Sequence, residues 1–279
     1  MRHVILYRSC NNLRDDELEI EALQAAGFVY LKRRTEVQKD DLVIARYSCL
    51  PMYAEYAADI EYVGAKLFST SAQHNYIADL QNWVMDLLEM TPDTWDCLEN
   101  LPDQGPFILK GGTNSRKGQW KTHMYAEDKK AACEVYSRLL EDSLIGTQPI
   151  YIRKYVPLYS FGLNVVGMPI TKEFRFFICD GQILSGAYYW SSHVEELAVV
   201  PSINEVPNDF LQEAITRIGA NGNAPRGYVL DVGIKEDGKP IVIELNDLQM
   251  SGLSENSPFI FYRNLKRQLE NSERNLVNS

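Results

Sequence analysis

Tyr228-Val229-Leu230-Asp231-Val232-Gly233-Ile234 and Pro240-Ile241-Val242-Ile243-Glu244-Leu245-Asn246, joined through Glu236-Asp237-Gly238-Lys239, read as the two strands of a β-hairpin. β-Branched residues crowd both runs, and Asp-Gly is the preferred centre of a two-residue type I′ turn. With Asp237 and Gly238 in the turn, Asp231 stands directly across from Glu244 and Val229 from Asn246. Side chains alternate with period two, so Asn246 projects from the same face as Glu244. Three oxygen-bearing groups, Asp231, Glu244 and Asn246, therefore converge. Like charges directly opposite, with Cβ atoms roughly 4.5–5.5 Å apart, destabilise a ladder unless something positive lies between them. A divalent cation reverses that sign. Hard oxygen ligands without histidine or cysteine point to Mg2+ or Mn2+, and Mg2+ takes one or two carboxylates and completes its shell with water and phosphate oxygens. Pairing of the two acids with lysine or arginine is the alternative, and a turn longer than two residues would move the register.

Working outward, the segment Lys110 to Lys121 (Lys-Gly-Gly-Thr-Asn-Ser-Arg-Lys-Gly-Gln-Trp-Lys) holds four basic residues, three glycines and no acid. Glycines let a backbone approach closely with its N–H groups inward, and hydroxyls and cations add donors, which is the composition of a phosphate-cradling loop. It lacks Walker spacing, and a solvated basic hairpin is the plainer reading of the loop alone. A third element, Lys172 to Ile183, is again two strands about an Asp-Gly turn, with Lys172 and Arg175 at its entrance. A guanidinium there can hold a phosphate or carboxylate bidentately, whereas a surface ion pair is the default for either residue by itself. Cationic loop, acidic hairpin and arginine together read as a nucleoside triphosphate site.

The rest of the chain sets the context. It has 279 residues, 45% hydrophobic and 24% charged, a globular balance with room for a sizeable core. Acids outnumber bases 38 to 28, giving a net charge of −10 and a pI near 5.0, the wrong sign for wrapping nucleic acid or lying on anionic lipid. Five scattered cysteines (Cys10, Cys49, Cys97, Cys133, Cys179) without a CxxC pair argue against a disulfide framework and against thiolate zinc, and suit a reducing cytoplasm. No apolar run approaches the ~20 residues of a membrane span.

Short apolar runs at residues 3–7, 28–31, 42–45 and 66–68 alternate with helical patterns ending at Gly27 and spanning Met52 to Tyr62, which predicts a small parallel α/β unit over residues 1–70. A helical pattern covers residues 74–89. From Pro106 onward, strands at 106–109, 150–156, 174–178 and 183–189 surround one clear helix, Glu127 to Glu141, as in an antiparallel α+β domain.

In this order the elements resemble the ATP-grasp superfamily: Phe107-Ile108-Leu109-Lys110 with its glycine-rich loop, a helix, Tyr151-Ile152-Arg153-Lys154-Tyr155-Val156, Glu173-Phe174-Arg175, Asp231, and Glu244-Leu245-Asn246. The likeness spans residues 66–262 and is strongest to a compact clade, often phage-encoded, with basic residues on the hinge strand. It implies an α/β plus α+β fold: a parallel pre-domain over 1–70, then a domain over 71–279 whose two subdomains clamp the nucleotide about a hinge near 151–156. It further implies that Lys110 contacts the α- and β-phosphates, and that Thr113, Asn114, Ser115, Arg116 and Lys117 close over the triphosphate. Arg153 and Lys154, on the hinge, would contact the nucleotide or, alternatively, face an anionic acceptor, and the backbone near Tyr155 and Val156 would read the adenine. Arg175 would stabilise the transferring phosphate, and Asp231, Glu244 and Asn246 would hold Mg2+, or Mn2+ in its place. Two departures stand out: Gln73-His74-Asn75 where many members carry a lysine, and the basic pair Arg153-Lys154 where an acid is usual.

The activity implied is an ATP- and Mg2+-dependent carboxylate–amine or carboxylate–thiol ligase working through an acylphosphate on small-molecule or peptide substrates. Catalysis of this kind is positioning plus electrostatics and needs no protein nucleophile. A phosphotransferase and a non-catalytic ATP-binding module are the alternatives.

Overall fold

A computed structural model describes residues 1–7, 13–47 and 52–278. The N-terminal segment forms β1 (Arg2–Tyr7), α1 (Leu13–Ala25), β2 (Val29–Leu31), β3 (Asp41–Arg46), α2 (Tyr53–Tyr62) and β4 (Lys66–Leu67). Its sheet runs β2-β1-β3-β4, with Val4 paired to both Val29 and Val43 in parallel register. β1 and β3 are apolar through most of their length because helices and the rest of the chain cover both faces.

Next come α3 (Ser71–Ala78) and α4 (Leu80–Val84), two short helices where one was expected over 74–89. Asp79 divides them in extended conformation and accepts from Gln81 N as the cap of α4. A second sheet, ordered β5-β8-β6-β7, is built from β5 (Thr94–Trp95), β6 (Gln104–Gly111), β7 (Tyr125–Asp128) and β8 (Ile150–Lys154). The short α5 (Trp120–His123) precedes β7, and α6 (Lys129–Leu140) backs the sheet with Ala132, Val135 and Leu139 on Phe107 and Leu109. Alternation turns Ile108 and Lys110 of β6 the other way.

After the small pair β9 (Ser160–Leu163) and β10 (Pro169–Thr171), the third sheet runs β12-β11-β13-β14. Its strands are β11 (Glu173–Cys179), β12 (Gln182–Tyr188), β13 (Gly227–Ile234) and β14 (Pro240–Asp247), with α7 (Asn208–Gly219) between β12 and β13. Phe174, Phe176, Leu230, Val232 and Leu245 pack against α7 and α4 on one face. On the other, Phe177, Cys179 and Val229 meet α8 (Pro258–Asn278) and the parallel sheet, leaving the rest of that face to line a cleft.

The β13–β14 hairpin pairs Asp231 with Glu244 and Val229 with Asn246, as expected, but by another route. The connection is three residues, Glu236 to Gly238, with Gly238 at φ +81° and Lys235 N bonded to Lys239 O at 2.9 Å, not a type I′ turn at Asp237-Gly238. Near the turn Val232 faces Val242, and a bulge at Ile243 then restores the expected partners. Without the bulge Glu244 would oppose Leu230 and face the apolar core.

Cys97, Cys133 and Cys179 are free thiols; Cys10 and Cys49 lie outside the described residues. Among the described residues no helix is long and apolar enough to cross a membrane.

Candidate functional site

A cleft open to solvent lies between the second and third sheets. One end is apolar, lined by Ile108, Met124, Tyr155, Val156, Leu158 and Ile243. The other is charged, with Lys110, Lys117, Asp231 and Glu244. Tyr155 and Val156 follow β8 directly, so the backbone expected to read a base borders the apolar end.

Asp231 is 2% exposed and takes a bidentate grip from Arg175, Nε to Oδ1 at 2.8 Å and Nη2 to Oδ2 at 2.7 Å. Asn246 Nδ2 donates to the same carboxylate at 3.1 Å, so the amide joins the acids as alternation required. Glu244 pairs with Lys110 across the cleft. Burial pushes the Glu244 carboxyl up, but the cations Lys110 and Lys117 outweigh it and hold it down at about 2. Both acids are thus paired with cations, the alternative to a metal that the sequence left open, and those cations are the two residues assigned to the phosphates. Among the described residues no three His, Cys, Asp or Glu side chains form a ready-made metal cage; two acids and an amide supply hard oxygens instead.

Of the loop, Ser115 and Lys117 line the cleft. Lys117 Nζ donates to Tyr189 Oη at 2.6 Å and lies 5.2 Å from the Trp190 ring centre, which folds the loop over the charged end. Thr113 and Arg116 are not brought in. Thr113 donates to Gln148 at 3.0 Å, and Arg116 makes a bidentate pair with Asp142, both bonds 2.6 Å. Lys172 is likewise spent on Glu205 at 2.7 Å. Arg153 and Lys154 both border the cleft, Lys154 with an exposed side chain and Arg153 largely buried and bonded to Thr91, Thr94 and the carbonyl of Ile243. His74 is buried away from the cleft, stacked on Tyr53 at 4.0 Å with Nδ1 3.1 Å from Asp247.

One residue escaped the sequence reading. Glu173 lines the cleft near Lys117, Asp231 and Glu244, and burial raises its carboxyl to about 7 against the pull of Lys117. Alternation from Arg175, two residues on, would have placed it on the same face.

A family model described as an ATP-grasp domain, R2K clade family 3, matches residues 98–265. No curated protein matches the sequence. Among solved structures, the D-cycloserine synthetase DcsG is 16% identical, with a TM-score of 0.61 over 96% of this chain and 100% of that one. The D-alanine–D-alanine ligase of Bacillus anthracis complexed with ATP is also 16% identical, with a TM-score of 0.61 over 98% and 97%. The ATP-grasp ligase PsnB, complexed with a minimal precursor, Mg and ADP, is 12% identical, with a TM-score of 0.59 over 98% of each chain.

Proposed function

We propose, from the premise that this chain belongs to R2K clade family 3 of the ATP-grasp domains, that it is an ATP- and Mg2+-dependent ligase joining a carboxylate to an amine or thiol. The observation that carries this reading is the pair Asp231 and Glu244, side by side on the cleft floor and facing Arg175 and Lys110. That donor set fits Mg2+, which arrives with phosphate oxygens and needs few protein carboxylates. When bound, the ion would neutralise charge on the triphosphate, with Asp231, Glu244 and Asn246 as its protein ligands.

The chain's own residues then divide the work. The apolar end from Ile108 to Leu158 takes the base. Lys110 and Lys117 neutralise the phosphates, and Arg175 stabilises the one transferred to the carboxylate. The amine or thiol displaces phosphate from the acylphosphate. Residues 151–156 serve as the hinge between the subdomains of a domain spanning 71–279, with 1–70 as the pre-domain. A D-alanine–D-alanine ligase and a ligase complexed with a precursor peptide share this fold, which supports either substrate class here.

Purified protein, ATP, Mg2+ and a panel of carboxylates, amines, thiols and peptides should release ADP with the right pair, and Glu244→Gln should slow release about a hundredfold. Release of AMP in place of ADP, or a rate indifferent to Glu244→Gln, would contradict the reading.

A further inference from the structure

β14 is the outer strand of its sheet, so its free edge has no neighbouring strand to take its carbonyls. At the bulge that edge is met by side chains and loop. Val242 N donates to Met90 O at 2.7 Å and Thr91 Oγ1 donates to Val242 O at 2.9 Å. Arg153, reaching across from β8, donates through Nη1 to Ile243 O at 2.5 Å, through Nη2 to Thr91 Oγ1 at 2.6 Å and through Nε to Thr94 Oγ1 at 3.2 Å. Its guanidinium lies 5.6 Å from the Trp83 ring centre, and the residue is 6% exposed. Among the described residues it has no carboxylate at ion-pair distance. A buried cation bonded only to neutral acceptors is costly unless the arrangement serves something.

What it serves follows from the register. An extra residue in one strand leaves its backbone groups unpaired, and here that residue is Ile243. Sliding the bulge out would flip Glu244 to the core side of the sheet, since a one-residue slip exchanges faces. We infer that Arg153 is a positioning residue which, through Ile243 O and Thr91, fixes this bulge and thereby keeps Glu244 opposite Asp231 in the cleft. The inference rests on the reading of these two acids as the Mg2+ site. Five guanidinium donors less three leave two N–H groups near the cleft, so direct contact with the nucleotide is the competing role.

Thr91 separates the two, because it belongs to the ring of bonds and does not line the cleft. Hydrogen exchange of the protein without nucleotide, and calorimetric titration with ADP in the presence and absence of Mg2+, should be run on wild type, Thr91→Val, Arg153→Lys and Arg153→Met. Amides of residues 241–246 should exchange about tenfold faster in Thr91→Val and Arg153→Met. ADP affinity without Mg2+ should stay within about threefold of wild type, while the gain conferred by Mg2+ shrinks about tenfold in Arg153→Met and about threefold in Thr91→Val. Arg153→Lys, able to keep one bond to Ile243 O, should fall between wild type and Arg153→Met. Unchanged exchange at 241–246 would overturn the inference. So would a loss of metal-free ADP affinity in Arg153→Met beside a full Mg2+ gain in Thr91→Val, which would make Arg153 a nucleotide ligand. If Arg153→Met fails to fold, Thr91→Val carries both readouts. Wild type with no Mg2+ gain overturns the ligase reading itself, while the exchange data still decide what holds the bulge.

Discussion

Asp231 and Glu244 face one another across a single hairpin, yet the cations that hold them come from different places. Arg175 sits beside Asp231 on the adjacent strand β11, in direct register, and both are buried. Lys110 reaches Glu244 from the opposite sheet, and the Glu244 side chain is 23% exposed to the cleft between them. The first pair forms when its sheet forms. The second closes across the cleft, where the proposed reading places a phosphate. One acid is therefore bound into the core of its sheet, and the other is tied across the cleft.

Breaking the inner pair should have the largest effect on stability. Arg175→Ala leaves Asp231 as an uncompensated buried charge, which costs about 3–5 kcal/mol. The thermal midpoint should fall by roughly 10 °C. A midpoint within a degree or two of wild type would show that the two acids are held alike. Lys110→Met sharpens the contrast from the other side: calorimetry should show nucleotide affinity falling about 10–100-fold, the worth of a bond to a charged group, with a smaller fall in thermal midpoint than Arg175→Ala because Glu244 is partly exposed.

The smallest effect concerns the third acid of the cleft. Glu173 has no cation at ion-pair distance among the described residues, and burial lifts its carboxyl to about 7. The folded chain therefore takes up its proton more readily than the unfolded chain. Its contribution to stability is complete below the ordinary carboxylate range and is lost as pH rises through about 7. Glu244, held down at about 2, behaves oppositely: its contribution is present above the ordinary range and is lost as pH falls towards 2. Melting curves of wild type and Glu173→Gln between about pH 5 and pH 8 should show the wild type losing ground as pH rises. A constant difference across that range would remove Glu173 from the account.

The sequence carried most of the elements, because apolar periodicity is a local signal. What it hid is set by partners far away in the chain. Asp-Gly occurs in two hairpins and makes two different turns. Asp180 and Gly181 adopt φ of +47° and +74°, the two-residue form, with Asp180 anchored by Arg226 and Ser272. Among the described residues Asp237 has only local partners in Lys235 and Lys239, and its loop is three residues long. The acids still met because a bulge cancelled the longer turn, and that bulge is bonded to Arg153, 90 positions away. Loop composition likewise marked a cationic segment without telling Lys117, which enters the cleft, from Arg116, which Asp142 removes from it. Glu173 was legible by alternation alone.

Titrating ATP into the protein with and without Mg2+ decides whether Asp231 and Glu244 hold the ion. Wild type should bind at least about tenfold more tightly with the ion, and Glu244→Gln should bind equally well either way. An affinity indifferent to Mg2+ in the wild type, or a full Mg2+ gain surviving in Glu244→Gln, would contradict that role.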